Sequence, residues 1–180
     1  ARARPGALNY ASAGTGTIIH LVTEVFASRA RIDIVHVPYK SIAPAVTAVV
    51  GGHVPVLIAS FPAAWHHVKP GRLRALAVTP ATRSEFAPEL PTIAEAGVPG
   101  FDASTWWGLF AQGRTPKEIV ARLAGEMQKI LVGEDIKARL RAEGALVVLG
   151  ATPDAFNATV RDEIAQWRRI AKERNISGEP

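Results

Sequence analysis

The sequence contains no cysteine, which removes disulfides, thiolate metal sites and cysteine nucleophiles together. That absence suits the cytosol and an oxidising compartment equally, so it does not place the protein. No apolar run approaches the roughly 18 residues that a membrane-crossing helix needs. The longest candidates, residues 42–50 and 54–65, carry prolines and read as core elements. The opening residues 1–6, ARARPG, have no apolar centre of the kind a secretory signal carries. Catalytic signatures are missing too: there is no Gly-x-Ser-x-Gly elbow and no His-Glu-x-x-His helix. Glu24, Asp33, Glu85, Glu89, Glu95 and Asp102 are scattered and offer no acid–base pair. His66 and His67 are neighbours, so on a helix they point about 100° apart and cannot readily share one metal ion. No metal and no cofactor are expected, and the chain does not read as an enzyme.

What is present describes a globular α/β protein. The chain has 180 residues, of which 48% are hydrophobic and 21% charged, enough to bury a substantial core. Its net charge of +5 invites a nucleic-acid reading. The distribution argues against it: residues 114–174 hold 12 Lys/Arg against 9 Asp/Glu, interleaved along helical segments as on a solvated face. The aromatic residues do not alternate with basic ones, as a base-stacking groove would require. No nucleic acid is expected as a partner.

The first half alternates short strands and helices. A strand at 8–10 leads to a helix over about 17–29, and a β-branched run at 32–37 is closed by Pro38. Pro44 suits the first turn of a helix ending at Gly51-Gly52. A buried strand is expected at 54–60, a short helix at 62–68, a turn at 69–71 and another strand at 73–78. Single helices between strands imply right-handed crossovers and a mostly parallel sheet. Residues 79–91 read as a loop, 93–96 as a helical turn and 103–110 as a strand containing Trp106-Trp107. Thr115-Pro116-Lys117-Glu118 is a capping box with proline at the first helical position, opening a helix to about 132. A further helix is expected at 134–143 and a short strand at 146–149. Thr152-Pro153 then opens a long helix with Phe156, Val160, Ile164 and Trp167 on one face.

The richest local pattern is the run Ser12-Ala13-Gly14-Thr15-Gly16-Thr17 between the first strand and the first helix. A helix start offers about four backbone N–H groups without intrahelical partners, and the macrodipole adds partial positive charge. Glycine allows close backbone approach, and Ser and Thr hydroxyls supply neutral donors. The run therefore suits a small anion, a carboxylate above all. It is not a P-loop, because Ile18 follows Thr17, and Ile19 stands where a dinucleotide fingerprint needs its third glycine. The plainer reading is a strand-to-helix turn with Thr17 as N-cap. His20, one turn into the helix, either donates to a ligand or fixes the loop. In a parallel sheet, ligands sit beyond the carboxyl ends of the strands. The loop at 38–41, with Tyr39 and Lys40, and the loop at 59–62, with Ala59 and Ser60, would meet the first loop there. Tyr39 and Lys40 would add a hydroxyl and a cation for a carboxylate. Otherwise they are a rim aromatic and a solvated charge.

Taken together, these segments resemble the Bug family, the periplasmic substrate-binding proteins of tripartite tricarboxylate transporters. The resemblance rests on LNYASAGTGTIIHL, DIVHVPYK, PAVTAVVGGHV, KPGRLRALAVT, LPTIAEAGVPGFDASTWWGLFA, TPKEIVARL and TPDAF, in that order across nearly the whole chain. It implies a type II periplasmic-binding-protein-like, two-lobed Venus-flytrap fold that closes on a small carboxylate without catalysis. It assigns Ser12, Gly14, Thr15, Gly16 and Thr17 to the ligand carboxylate and puts Tyr39 beside the same cleft. Residues 1–100 would form the second lobe, with a parallel-rich sheet. Residues 101–180 would contribute the crossover strand and C-terminal helices of the first lobe. Two departures stand out: Ser41 replaces the usual glycine after PYK, and Ala59 stands where many members carry an acid. The latter favours a plain carboxylate over an amino acid. Family members are longer, with a first-lobe segment preceding the point where this sequence starts. The expectations are that the chain alone binds acids weakly or not at all, and that it self-associates or domain-swaps through an incomplete first lobe. The implied partners are a small carboxylate and the membrane components of a tripartite transporter, with a periplasmic location. Other readings are the ligand-sensing domain of a transcription regulator and, further off, an anion-site enzyme.

Overall fold

The computed structural model describes residues 1–145, 147, 150–173 and 176. The chain divides into two compact units, residues 1–105 with 169–180, and residues 106–168.

The first unit is built on a three-stranded parallel sheet. Its strands are β1 (Asn9–Ser12), β2 (Val35–Pro38) and β3 (Val56–Leu57), in the order β2-β1-β3. Ser12 pairs with Pro38 and Ala11 with Leu57, so all three strands end at the same edge. Between them run α1 (Ile18–Ala30) and α2 (Ile42–Val50), and α3 (Phe61–Val68) follows β3. Successive strand residues face opposite sides of a sheet. Tyr10 accordingly packs with Ala27 of α1 and Ile34 on one face, and Ala11 with Ala45 of α2 and Val54 on the other. Moving from β1 to β2 and then back across β1 to β3 reverses direction. Right-handed crossovers therefore set α1 and α2 on opposite faces. That reversal places the topological switch point between β1 and β3.

α1 ends because Arg31 takes the left-handed conformation, φ 52°, and returns its N–H to Ser28 and Ala27 carbonyls. Three strand expectations are corrected. Residues 54–60 give only the two-residue β3, since Pro55 denies the ladder a donor at its start. Residues 73–78 are irregular apart from one bridge from Val78 to Thr92, and Leu76 is exposed. Residues 103–110 are irregular as well. Among the described residues no neighbouring strand runs beside them, and unpaired β-propensity does not make a strand. The turn at 92–97 is fastened by reciprocal bonds, Thr92 N–H to Glu95 at 2.8 Å and Glu95 N–H to Thr92 Oγ1 at 3.0 Å. Arg83 holds the same carboxylate at 2.9 Å.

The second unit contains α4 (Lys117–Leu131), α5 (Glu134–Ala142) and most of α6 (Pro153–Glu173). The expected Thr115–Glu118 capping box does not form: Pro116 holds the N-cap position and no side chain caps α4. Thr152 does cap α6, its hydroxyl accepting Ala155 N–H at 3.2 Å. Phe156 packs edge-on to Trp106 and lies against Phe110. The strand expected at 146–149 lies outside the described residues.

Candidate functional site

The three loops following β1, β2 and β3 lead into α1, α2 and α3 at one edge of the sheet. Each helix has a hydroxyl residue at its N-cap: Thr17, Ser41 and Ser60. None of the three side chains caps its own helix. An N-cap hydroxyl ordinarily accepts an N–H of the first turn. In α1 and α2 first-turn donors are left uncapped, whereas in α3 Pro62 has no N–H and Ala63 N–H donates to Ser60 O at 3.1 Å. In α1 the first intrahelical bond runs from Leu21 N–H to Thr17 O, so the N–H groups of Ile18, Ile19 and His20 lack helical partners. Parallel topology thus gathers three partly positive helix starts on one edge.

The glycine loop is internally braced. Ser12 is fully buried, and its hydroxyl accepts Gly14 N–H at 3.1 Å and lies 2.6 Å from His36 Nε2. The Thr17 hydroxyl donates back to Gly14 O at 2.7 Å, and Gly16 N–H donates to His20 Nδ1 at 3.0 Å. Three of the loop's N–H groups, on Gly14, Gly16 and Thr17, are therefore held within the loop and its helix. Thr15, at the tip, has neither its hydroxyl nor its N–H engaged among the described residues. Gly14 has φ +126°, and a Cβ there would meet Tyr39 O at 3.4 Å. Tyr39 N–H in turn donates to Ser12 O at 3.1 Å, joining the first two loops.

The residues expected to form the site thus fall into two groups. Ser12, Gly14, Gly16, Thr17 and Tyr39 are joined beyond the carboxyl ends of β1 and β2 by the bonds just described, with Thr15 at the tip of the same loop. Lys40 is exposed beside Tyr39. Ala59 and Ser60 end the third loop at the same edge, one strand further on, and are half-buried. Of the two roles open to His20, the structure shows loop fixing. Sequence reasoning passed over His36, whose bond to Ser12 depends on the β1–β2 register. It placed Ser41 in the second loop, as a departure from glycine, without reading it as the N-cap of α2. A serine directly before an apolar periodic segment is nonetheless a helix-start signal. His66 and His67 stand on α3 with their rings 4.0 Å apart.

Fold and edge together define an α/β chain whose three strand-to-helix loops share one end of a parallel sheet. The chain belongs to the family described as tripartite tricarboxylate transporter family receptor, which matches residues 1–176. It is 38% identical over 178 residues to the UPF0065 protein in the tcbD-tcbE intergenic region of Pseudomonas sp. (strain P51), covering 98% of this chain and 53% of that protein. A Pseudomonas knackmussii relative, the UPF0065 protein in the clcB-clcD intergenic region, is 35% identical over 88% of this chain and 94% of its own length. Among solved structures, an R. palustris protein with adipate superposes with a TM-score of 0.91 at 37% identity, covering 99% of this chain and 60% of that one. The periplasmic binding protein BugD gives 0.85 at 28% identity, covering 99% of this chain and 60% of BugD. MatC of Rhodopseudomonas palustris with bound malate gives 0.83 at 31%, covering 92% of this chain and 57% of MatC. The expected fold class is borne out: α/β, with a small parallel sheet, matching periplasmic binding proteins over about 60% of their length. The chain spans about half the length of the first curated relatives it matches.

Proposed function

We propose that the chain is a carboxylate-receiving part of a non-catalytic solute receptor, serving uptake through a tripartite tricarboxylate-type transporter. The observation that carries this reading is the convergence of three helix starts, with Thr17, Ser41 and Ser60 at N-caps that none of them closes. Such an edge stabilises a small anion through backbone donors and dipoles rather than through a buried cation. The relatives solved with adipate and malate support the ligand class. Thr15 and the open first turns of α1 and α2 donate to the carboxylate, Ser12, Gly14, Gly16 and Thr17 shape the loop, and Tyr39 and Lys40 flank it. Ala59 and Ser60 bound the far side, and the absence of an acid at Ala59 favours a plain carboxylate.

Residues 1–100 act as the ligand-loop lobe and 101–180 as part of the other lobe. The partners are the transporter's membrane components, and the location is the periplasm, as for BugD. Among the described residues no helix is long and apolar enough to cross a membrane. Self-association through Trp107, Leu109 and Phe110, all exposed, is part of the same proposal.

Titration of adipate or malate into 15N-labelled chain tests the site. The amides of Thr15, Ile18, Ile19, Tyr39 and Ser41 are expected to shift together along one saturable curve, and those of α4 and α5 to stay still. Binding by the chain alone is expected to be weak, so the titration runs to the solubility limit of the acid. Shifts confined to surface lysines, or none at that limit, would overturn the reading.

A further inference from the structure

Beneath the glycine loop lies a cluster of titratable side chains that an anion at the helix starts would not touch. His20 of α1 and His36 of β2 stack with ring centroids 3.9 Å apart and planes 8° from parallel. Tyr10 of β1 stacks on His36 at 5.0 Å, and its hydroxyl donates to Glu24 of α1 at 2.5 Å. These four are the titratable groups that β1, β2 and α1 turn towards one another there. His20 is 6% exposed.

Each imidazole holds one part of the loop. His20 Nδ1 receives Gly16 N–H at 3.0 Å, and His36 Nε2 meets the Ser12 hydroxyl at 2.6 Å. A backbone N–H is only a donor, so Nδ1 of His20 must be bare and the ring neutral, with its proton on Nε2. A second proton on His20 would set one N–H against another across 3.0 Å. It would also place a cation face to face with the His36 ring. Gly16 would lose its partner and the loop its brace.

We propose that the stacked His20–His36 pair is the positioning device of the glycine loop, holding its shape while both rings are neutral and releasing it when His20 takes a proton. That the release weakens carboxylate capture rests on the function proposed above; the coupling of loop shape to His20 does not. Burial pushes both histidines below the ordinary value of 6.5, and each ring's neighbourhood adds to this or opposes it. For His36 the nearby His20 acts with burial, while the Glu24 carboxylate pulls both rings the other way without outweighing it. Burial and Glu24 also keep the Tyr10 hydroxyl protonated, so it remains a donor throughout. The sign follows. Above 6.5 the rings are neutral folded or unfolded, and the brace is intact. As pH falls below that value the unfolded chain takes protons first and stability declines. The loop itself loosens only as the lower folded value of His20 is reached.

The test needs no ligand in its first arm. The amides of Gly14, Gly16 and Thr17 and the Cε1–H signals of His20 and His36 are followed by NMR on the full chain from about pH 7.5 to about pH 4.5. The Gly16 amide is expected to move with the midpoint of His20, on the acid side of 6.5. In His20→Asn the amide oxygen stands near the Nδ1 position and accepts the same N–H without titrating, so the loop amides should stop responding to pH. In His20→Ala the Gly16 amide should already be displaced at neutral pH. Loop amides that stay still in the unmodified chain across this range overturn the proposal, whether or not His20 titrates, and this result requires no variant to fold.

The second arm measures adipate binding by the same amides at both pH values for the unmodified chain and His20→Asn. Taking their ratio cancels protonation of adipate itself. The unmodified chain should weaken at least about fivefold more than His20→Asn on acidification. If the loop amides titrate with His20 but adipate binds at neither pH, the carboxylate reading fails and the positioning role stands.

Discussion

Gly14 shows how one atom can hold two loops together. Its φ of +126° is a conformation that side chains rarely adopt, and an added Cβ would press on the Tyr39 carbonyl at 3.4 Å. Tyr39 is itself tied to Ser12, so the loop has little room to give. Gly14→Ala is expected to cost about 1–3 kcal/mol, mainly as backbone strain. Urea denaturation checks it, and a variant as stable as the parent would show that the loop relaxes freely. The types of residue in this loop were legible in sequence; their roles were only partly so. Glycine and hydroxyl residues before a helix announce a donor-rich turn. Nothing local reveals that Ser12 points into the sheet towards His36, because that contact joins residues 24 positions apart through strand register.

At the scale of elements, one motif occurs twice with opposite outcomes. Thr92 and Glu95 bond reciprocally, and Thr92 is almost wholly buried. Thr115 and Glu118 have the same spacing, but no side chain caps α4. Thr92→Ala should therefore cost about 1 kcal/mol, as lost caps do, and Thr115→Ala within about 0.5 kcal/mol of nothing. Equal losses in thermal or chemical denaturation would contradict the difference. The Thr92 N–H and then Arg83 hold the Glu95 carboxyl below its usual 4.5. Its stabilisation is thus complete above 4.5 and disappears as pH falls through the lower folded value.

The helices α1, α2 and α3 were legible to within a residue or two, because apolar periodicity and start–stop residues are local signals. Strands were less so. Residues 73–78 and 103–110 have strand-like composition, but a ladder needs a partner, and composition does not say whether one is there.

At the scale of the whole molecule, the two units differ in how much they bury. Tyr10, Ala11, Val46, Val54 and Phe101 form well-buried positions in the first unit. Among the described residues α4, α5 and α6 have none that are fully buried. In the second unit Trp107, Leu109 and Phe110 are 69%, 63% and 63% exposed. Clustered apolar residues of this size favour burial against another surface. Sedimentation velocity should show association that strengthens with concentration and is lost in Trp107→Lys/Leu109→Glu. A single monomeric species at all concentrations would remove self-association from the proposal.

The sequence by itself determined the α/β class, the order of the helices and the donor-rich loop at residues 12–17, because those follow from periodicity, caps and residue chemistry within a few positions. Its ordered motifs also sufficed to point to the receptor family that the comparisons bear out. The tertiary structure decided which groups of that loop face inward, which strands pair, and that three helix starts share one edge. It also decided that His20 and His36 stack beneath the loop. These depend on register and on the β2-β1-β3 order, which bring distant residues together through hydrogen-bonded pairing that no local stretch encodes.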